Sequence, residues 1–282
     1  PWLINSAASP SLCIIGSSRE SSAVNADIDM CLIAFRWQPD ADPSLVLAAN
    51  RDEFHARPTR ALAWWRWPEG PLAGRDVSGG GTWMAVGRDG RFAAVTNFRD
   101  PSAARGPRSR GELPLSWLKG DLSAAAFADR IHDQRQEYSP FSLIFGDSRE
   151  IRAVGTHTTP QIVAPGVHAL SNHVLDTPWP KSTQAVRKLA SGTGAGGMDI
   201  DTLLDLLDDR EPAPSEALPD TGVGFELESM LSAPFIANET YGTRSSTALL
   251  IGSRISVAER TFGPAGDVTG ERRFSWSPPE GS

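Results

Sequence analysis

Residues 31–58 read CLIAFRWQPDADPSLVLAANRDEFHARP, and this stretch decides the fold. Apolar and polar residues alternate after Cys31, and a second apolar run at 45–49 follows a turn at 38–44. The two runs predict a β-hairpin. Because a hairpin brings its two ends together, we expect the charged cluster after the second run to lie near the Cys31 thiol. That cluster consists of Asn50, Arg51, Asp52 and Glu53.

Cys31 directly follows Met30, and this order suggests an N-terminal nucleophile. If translation starts at Met30 and the initiator is removed, Cys31 carries a free α-amine beside its thiol. An α-amine has a pKa of about 7.7–8.0, so an appreciable fraction is neutral at pH 7 and can act as a base. Arg51 is the candidate cation for a thiolate, and Asp52 is placed to orient the amine or the guanidinium. The alternative is that Cys31 is a small buried apolar residue.

Three later residues supply the other groups that such a site requires. Asn97 closes a predicted strand and Asn172 precedes a loop, and an asparagine amide can donate to a developing oxyanion. Both positions also suit an ordinary turn residue. Arg244 begins a late strand and is a candidate second cation, with a surface ion pair as the alternative.

The first 29 residues do not share the pattern of the rest. They are rich in Ser, Ala and Asn, and their apolar patch at 12–15 is too short for a signal sequence. We interpret 1–29 as a disordered segment, either an over-extended start with Met30 as the natural initiator or a propeptide. Residues 30–282 are predicted to form a single domain.

Composition excludes several functional classes. With 40% hydrophobic residues, 22% charged residues and a net charge of −7, the chain suits a globular protein that does not bind nucleic acid. Two cysteines form no disulfide framework, which favours a reducing, cytoplasmic location. No apolar run approaches the ~20 residues of a membrane span. The five histidines lack metal-ligand spacing, so neither a metal nor a cofactor is expected.

Several hairpins interrupted by helix pairs predict a layered α+β architecture with mostly antiparallel sheets. The residues TWMAVGRDGRFAAVTN give the strongest hairpin pattern, turned at Asp89-Gly90. A strand pair or loop is predicted over 61–81. Further strands are predicted at 141–145, 151–153, 161–164, 167–170, 243–252, 254–260 and 272–276. Helices are predicted at 112–119, 123–136, 177–190 and 199–207, with a linker at 191–197.

Two clusters have open interpretations. Trp64, Trp65 and Trp67 fit either packing or the wall of an apolar pocket. The basic loop 99–110 fits either a solvated loop or an anion-binding rim made by its four arginines Arg99, Arg105, Arg108 and Arg110.

The string ANRDE at 49–53, followed by Arg57-Pro58-Thr59, resembles the signature of the NRDE family, whose eukaryotic members are called transport and Golgi organisation protein 2. The resemblance extends from Met30 to about Trp276. Four further segments carry it: GTWMAV at 81–86, AAVTN at 93–97, LSN at 170–172 with LDTPWPK at 175–181, and YGTRSST at 241–247.

The resemblance implies a fold and a set of site residues. The fold is the four-layer αββα sandwich of the N-terminal-nucleophile hydrolases, which include cysteine-type acylases such as penicillin V acylase. It implies catalytic roles for Cys31, Arg51, Asp52, Asn97, Asn172 and Arg244, and substrate contacts for Asn50, Glu53, Trp83 and Tyr241. In the acylases the Arg and Asp are further apart than Arg51 and Asp52, so Glu53 is a second candidate for the role of Asp52.

Two functions follow as expectations. The first is an amide or thioester hydrolase that acts on a small acyl substrate, with the Cys31 thiolate as nucleophile. A thioester such as acyl-CoA would bring its phosphates to the basic loop. The second is a non-catalytic carrier or homeostasis factor for acyl-CoA, lipid or haem, because family members are linked to those ligands. Haem would need an axial ligand, for which Cys31 or a histidine could serve.

Overall fold

The computed structural model describes residues 30–65, 70–192 and 198–279, and only the backbone of Met30. The predicted disordered segment 1–29, Trp67 and residues 193–197 of the predicted linker lie outside the described residues. Within the described ranges, thirteen strands and five α-helices arrange into two sheets and two helical layers.

The first sheet has six strands, and every neighbouring pair is antiparallel. Its order is β10-β1-β2-β11-β12-β13. The strands are β1 (Met30–Trp37), β2 (Leu45–Phe54), β10 (Gly166–Leu170), β11 (Tyr241–Ile251), β12 (Ile255–Phe262) and β13 (Val268–Trp276).

The second sheet has seven strands in sequential order, β3 to β9, again antiparallel throughout. Its strands are β3 (Thr59–Trp64), β4 (Leu72–Asp76), β5 (Met84–Val86), β6 (Phe92–Asn97), β7 (Phe141–Gly146), β8 (Ile151–Gly155) and β9 (Thr158–Ile162). The β5–β6 hairpin confirms the strongest sequence pattern, and β3 and β4 form a strand pair, one of the two alternatives predicted over 61–81.

The helices cover the two outer faces. Helices α3 (Pro180–Ser191) and α4 (Ile200–Asp205) share an apolar cluster with the first sheet, while α1 (Leu113–Lys119) and α2 (Ala124–Asp133) share one with the second. A third cluster lies between the sheets and contains Phe35, Trp37 and Phe92. The layers therefore follow the order αββα, which confirms the predicted fold class. Helix α5 (Phe225–Ser232) was not predicted and packs near the start of β11.

The opening hairpin is confirmed, but its second strand is longer than the sequence predicted. β2 continues through Asn50 to Phe54 instead of ending at residue 49. The reason is that β11 pairs along its free side, from Ile251 opposite Leu45 to Tyr241 opposite Phe54. The charged cluster is consequently part of a central strand and not of a loop.

Other predicted boundaries were wrong by up to four residues, the largest difference being β13, which begins at Val268 and not at residue 272. Helix α3 begins at Pro180 and not at residue 177, because Trp179 precedes a proline and takes extended backbone angles that are not helical. The strand predicted at 161–164 is β9 at Thr158–Ile162, since it closes a tight hairpin with β8. Ser123 and Asp199 cap α2 and α4: their side chains accept from the backbone N–H groups of Ala126 and Thr202.

Candidate active site

Cys31 lies directly opposite Arg51 in the β1–β2 ladder, as the hairpin predicted. Directly opposed residues of an antiparallel pair project to the same face, so both side chains extend between the sheets. They line a cavity of about 140 Å³ there. Trp83, Asn97 and Arg244 line the same cavity, and Cys31 itself is buried.

Glu53 organises the arginines beside the cavity. It is buried, and its Oε2 lies 3.2 Å from Arg51 Nη2 and 3.3 Å from Arg57 Nε. Arg57 also reaches Asp76, with 2.7 Å between Nη2 and Oδ2. The ion pairs hold Arg51 in a fixed position on the Cys31 side of the strand. Glu53 therefore acts on Arg51, and its carboxylate is already engaged by two guanidinium groups.

Arg244 is anchored in a different way. The β2–β11 register shifts between Thr243 and Ser245, and Arg244 lies at this irregularity. Its Nη1 donates to the backbone carbonyls of Phe54, His55 and Arg57 at 2.9–3.3 Å. Burial lowers its pKa, and the nearby positive charge of Arg51 lowers it further. These carbonyl oxygens carry no net charge, whereas Arg51 is held by the carboxylate of Glu53.

The two candidate oxyanion asparagines differ in their contacts. Asn172 is fully buried, and its Nδ2 donates to the Asn97 carbonyl oxygen at 3.0 Å. Ser171 Oγ lies 3.1 Å from the Asn172 Oδ1 and 3.0 Å from the Cys31 carbonyl oxygen, so these two acceptors share the single hydroxyl proton of Ser171. Asn97 lines the cavity, and its Nδ2 is buried with no hydrogen-bond acceptor in the described part of the chain. Asn172 thus links Asn97 to Cys31, whereas the Asn97 amide is available to a ligand.

Asp52 follows Arg51 in β2, so its carboxylate extends to the opposite face of the sheet, which α3 covers. It is 1% exposed, and its Oδ1 accepts from Thr243 Oγ1 at 2.6 Å. Its Oδ2 has no partner among the described residues. Burial raises the pKa of Asp52 to about 6, while the positive charge of Lys181 opposes the rise.

Lys181 is a residue that sequence reasoning missed. It is the second residue of α3 and 2% exposed, and its Nζ has no hydrogen-bond partner in the part of the chain that the structure describes. Burial lowers the pKa of Lys181 to about 8, and the negative charge of Asp52 opposes the fall. One sequence signal was available: a lysine in the first turn of a helix is unfavourable to the helix dipole.

An Asp52→Asn variant is expected to gain stability relative to the wild type as the pH rises from 4 to 7. The pKa of Asp52 is raised from 3.8 to about 6. The contribution of this carboxyl group to the unfolding free energy of the wild type is therefore fully present below pH 3.8 and is lost as the pH rises through 6. The difference in unfolding free energy should grow by about 2 to 3 kcal/mol across this range. Urea unfolding at several pH values measures it.

The exposed Asp40 provides the matched control. An Asp40→Asn variant should show a difference from the wild type that hardly changes with pH. A flat difference for Asp52→Asn as well would contradict the described environment of Asp52.

The structure places the four expected substrate-contact residues in different surroundings. Trp83 and Glu53 line the cavity. Asn50 lies on the helix-covered face, where its Nδ2 donates to the Leu207 and Pro234 carbonyls at 3.2 and 2.9 Å. Tyr241 is buried against Phe54 with an edge-to-face ring contact. Neither Asn50 nor Tyr241 borders the cavity beside Cys31.

The basic loop contributes unequally. Arg110 lines the cavity, and its Nη1 donates to the Pro140 carbonyl at 3.1 Å. Arg99 instead forms a buried ion pair with Glu228 of α5, and its guanidinium stacks on Trp179. Arg108 pairs with Glu112 and Glu137 at the surface. Of these three arginines, Arg110 alone lines the cavity.

No helix within residues 30–65, 70–192 and 198–279 is long and apolar enough to cross a membrane. In the same ranges, no group of three or more His, Cys, Asp or Glu side chains is arranged to hold a metal ion.

The αββα layers and the position of Cys31 at the start of an internal sheet strand define the class: the chain has the fold of the N-terminal-nucleophile hydrolases. A solved structure of this class, the Caenorhabditis elegans N-acylethanolamine-hydrolyzing acid amidase ortholog, aligns with a TM-score of 0.50. The alignment covers 78% of this chain and 92% of that one, at 9% sequence identity. At that identity the likeness concerns the fold alone.

Sequence comparison gives the family. The model of the family described as "Transport and Golgi organisation 2" matches residues 30–264. The human transport and Golgi organization protein 2 homolog is 31% identical over 258 residues, and the Bos taurus homolog is 30% identical over 257. Each alignment covers 83% of this chain and 93% of the relative. The chain belongs to the transport and Golgi organisation 2 family.

Proposed function

We propose that this protein is a cysteine-type N-terminal-nucleophile hydrolase that cleaves an amide or thioester of a small acyl group. The observation that carries the proposal is the arrangement at the cavity. Cys31 and Arg51 are opposite each other in the β1–β2 ladder, and the buried Asn97 Nδ2, with no acceptor among the described residues, lines the same space. Residues of the types that can serve as nucleophile, cation and oxyanion donor therefore line one cavity, which supports the proposal.

The reaction begins once Cys31 is the first residue. Its neutral α-amine takes the proton from Sγ, and the thiolate attacks the substrate carbonyl carbon to form an S–C bond. The carbonyl electron pair moves to oxygen, where Asn97 Nδ2 donates a hydrogen bond. Collapse of this intermediate breaks the bond to the leaving amine or thiol, which receives the proton from the α-ammonium. The acyl group remains on Sγ as a thioester.

Hydrolysis of the thioester completes the cycle. The α-amine takes a proton from water, and the resulting hydroxide attacks the acyl carbon. Asn97 again donates to the oxyanion. Collapse breaks the S–C bond, releases the carboxylic acid and returns the proton to Sγ. Asn172 has a positioning role in this scheme, because its amide already donates to the Asn97 carbonyl.

Arg51 and Arg244 set the charge at the cavity. Arg51, held by Glu53, favours the thiolate of the opposed Cys31. Arg244, held by three carbonyls, is available to orient a polar or anionic part of the substrate. Asp52 keeps its proposed role at the α-amine, since the start of β1 lies beside it in the ladder.

The second candidate function is the carrier for acyl-CoA, lipid or haem. Binding of a lipid chain or a porphyrin favours a cavity walled mostly by apolar side chains. The cavity at Cys31 is instead bordered by charged side chains, including Arg51, Glu53, Arg57, Asp76, Arg110, Arg244 and Glu259. This lining favours hydrolysis of a small polar acyl compound, and the experiment below separates the two functions.

The free amine at Cys31 gives the decisive test. The five described α-helices and all but one residue of the described strands lie after residue 30, so we expect a chain of residues 31–282 to keep the described fold. We expect this chain to hydrolyse at least one member of a panel of N-acyl amides and acyl thioesters. The comparison is the chain of residues 1–282, for which an intact-mass measurement confirms that residues 1–30 are still attached. This chain should be at least about 100-fold slower, because its Cys31 nitrogen is part of an amide and cannot act as a base.

Three outcomes would count against the proposal. Equal rates for the two chains would exclude the α-amine as the base. A folded 31–282 chain that hydrolyses nothing on the panel, yet binds lipid or haem tightly, would favour the carrier. Unchanged turnover in a folded Cys31→Ala variant would exclude the thioester intermediate.

A further inference from the structure

The charged side chains around the cavity at Cys31 are not evenly paired. Two of its carboxylates, those of Glu53 and Asp76, are engaged by Arg51 and Arg57 in a continuous chain of ion pairs. Arg244 lines the same cavity but has no carboxylate within ion-pair distance in the described part of the chain. Opposite charges therefore match one another in the chain of ion pairs and do not match at Arg244.

The contacts that the structure gives Arg244 are to neutral oxygen atoms. Its Nη1 donates to three backbone carbonyls, and its Nη2 donates to Thr59 Oγ1 at 3.3 Å. Its Nε is buried and has no acceptor among the described residues. These contacts hold the guanidinium in place without neutralising it, and a partly buried charge without a counter-charge is costly. A ligand that brings a negative charge into the cavity would supply the missing partner.

Other charged groups at the cavity leave this imbalance unchanged. Glu259 is buried, and its Oε1 accepts from the Leu62 N–H at 2.6 Å. Within the described ranges, Glu259 forms no ion pair with Arg244. Arg60 and Arg75 also line the cavity, but both are exposed, so water and salt screen their charges.

The position of Arg244 relative to Cys31 limits the size of such a ligand. Cys31, Arg51 and Ser245 are neighbours across β1, β2 and β11, and Arg244 directly precedes Ser245. Two strand spacings, roughly 10 Å, separate β1 from β11. The cavity of about 140 Å³ is smaller than a pocket for a drug-sized ligand. A small acyl compound with a few atoms between its carbonyl and its charged group suits these dimensions.

We infer that the substrate carries a carboxylate, which binds Arg244 while the scissile carbonyl lies at Cys31. This substrate class rests on the proposed function, and it makes Arg244 a specificity-determining residue. A guanidinium and a carboxylate form a charge-assisted hydrogen-bonded pair. A carboxylate is favoured over a phosphate because its single negative charge matches the single charge of Arg244, whereas a phosphate group brings nearly two.

The test is a set of NMR titrations of the 1–282 chain with small probes that need no turnover. N-Acetylglycine and N-acetylglycinamide differ by a carboxylate on the amine side of an amide. Glutarate and glutaramate differ by a carboxylate on the acyl side. In at least one pair, the probe with the additional carboxylate should bind about tenfold more tightly than its amide partner. That pair then identifies the side of the substrate that carries the charge. Equal affinities within both pairs would overturn the inference.

An Arg244→Met variant should bind the two members of that pair with affinities that agree within about twofold, because the charge that distinguishes them is gone. Arg135 provides the matched control. Its Nη1 also donates to a backbone carbonyl, that of His132 at 2.6 Å, but Arg135 does not border the cavity. An Arg135→Met variant should keep the wild-type preference. An unchanged preference in a folded Arg244→Met variant, or an equal loss in Arg135→Met, would overturn the role of Arg244.

An Arg244→Gln variant keeps the role of Arg244 testable if Arg244→Met does not fold. Glutamine retains N–H donors for the backbone carbonyls but carries no charge, so the preference for the carboxylate should again be lost. A folded Arg244→Gln variant with the wild-type preference would overturn the inference. Failure of hydrolysis in the 31–282 chain would instead count against the proposed function. The titrations would stay interpretable in that case, because they measure binding to the 1–282 chain.

Discussion

A Cys31→Ala variant of the 31–282 chain should lose hydrolysis by about 10⁴- to 10⁶-fold, the range that removal of a hydrolase nucleophile or its partner costs. Cys31 is buried at the start of β1 and lines the cavity, and alanine removes only the sulfur atom. We expect the fold to persist, because the strand ladder with β2 does not depend on the side chain. The measurement is the rate on the substrate found with the panel, together with thermal unfolding of the same sample.

Thr261 supplies a control for this prediction. It also lines the cavity, and its Oγ1 donates to the Gly270 carbonyl at 3.3 Å, remote from any proposed chemical step. A Thr261→Ala variant should keep the rate within a few-fold of the wild type. Wild-type turnover in a folded Cys31→Ala variant would remove Cys31 from the mechanism. An equal loss in Thr261→Ala would show that the cavity tolerates no truncation and that the Cys31 result is not specific.

An Arg99→Met variant should lower the free energy of unfolding by about 3 to 5 kcal/mol, the cost of removing one partner of a buried ion pair. The side chains of Arg99 and Glu228 are 8% and 4% exposed. Methionine keeps part of the contact with Trp179 but leaves the Glu228 carboxylate buried beside one fewer cation. Thr221 still donates its backbone N–H to Glu228 Oε1 at 2.8 Å, which does not neutralise the charge. Urea unfolding at pH 7 measures the loss.

The surface pair Arg149–Asp147 is the matched comparison. Its N–O distance is 3.3 Å, but the arginine side chain is 74% exposed. An Arg149→Met variant should change the unfolding free energy by less than about 1 kcal/mol. Combining Arg99→Met with Glu228→Gln should recover part of the loss, because no uncompensated charge then remains. A cost below 1 kcal/mol for Arg99→Met alone would contradict the described burial of the pair.

The parts of the site that depend on local pattern could be predicted from the sequence. The two apolar runs on either side of a turn predicted the β1–β2 hairpin. The hairpin in turn predicted that Arg51 lies near Cys31, and the two residues are opposite each other in the ladder. The β5–β6 hairpin likewise ends at Asn97, beside the cavity. These contacts join residues within one hairpin or at one strand end, where residue type and spacing carry the information.

The parts that depend on distant packing could not be predicted. The length of β2 is set by β11, about 190 residues later in the chain, so the charged tetrapeptide was expected after the strand and not within it. Because the end of β2 was predicted wrongly, the sequence also did not show which side chains of the tetrapeptide face the cavity. Lys181 was missed because a lysine near the start of a helix usually lies at the surface. Its lack of a partner depends on how α3, β2 and α5 pack together, which no local pattern encodes.

The continuation of β2 through the tetrapeptide Asn50-Arg51-Asp52-Glu53 has a consequence for how the chain tolerates insertions. Alternate residues of a strand serve opposite sides of a sheet, and β1 and β11 hold β2 from both edges. One extra residue between Leu45 and Asn50 would rotate the whole tetrapeptide by half a turn. The Arg51 side chain would then face the helices, and the Asp52 side chain would face the cavity. Both residues would keep their charges but lose their present partners. Whether the number of residues between Leu45 and Asn50 is odd or even therefore matters as much as which residues form the tetrapeptide.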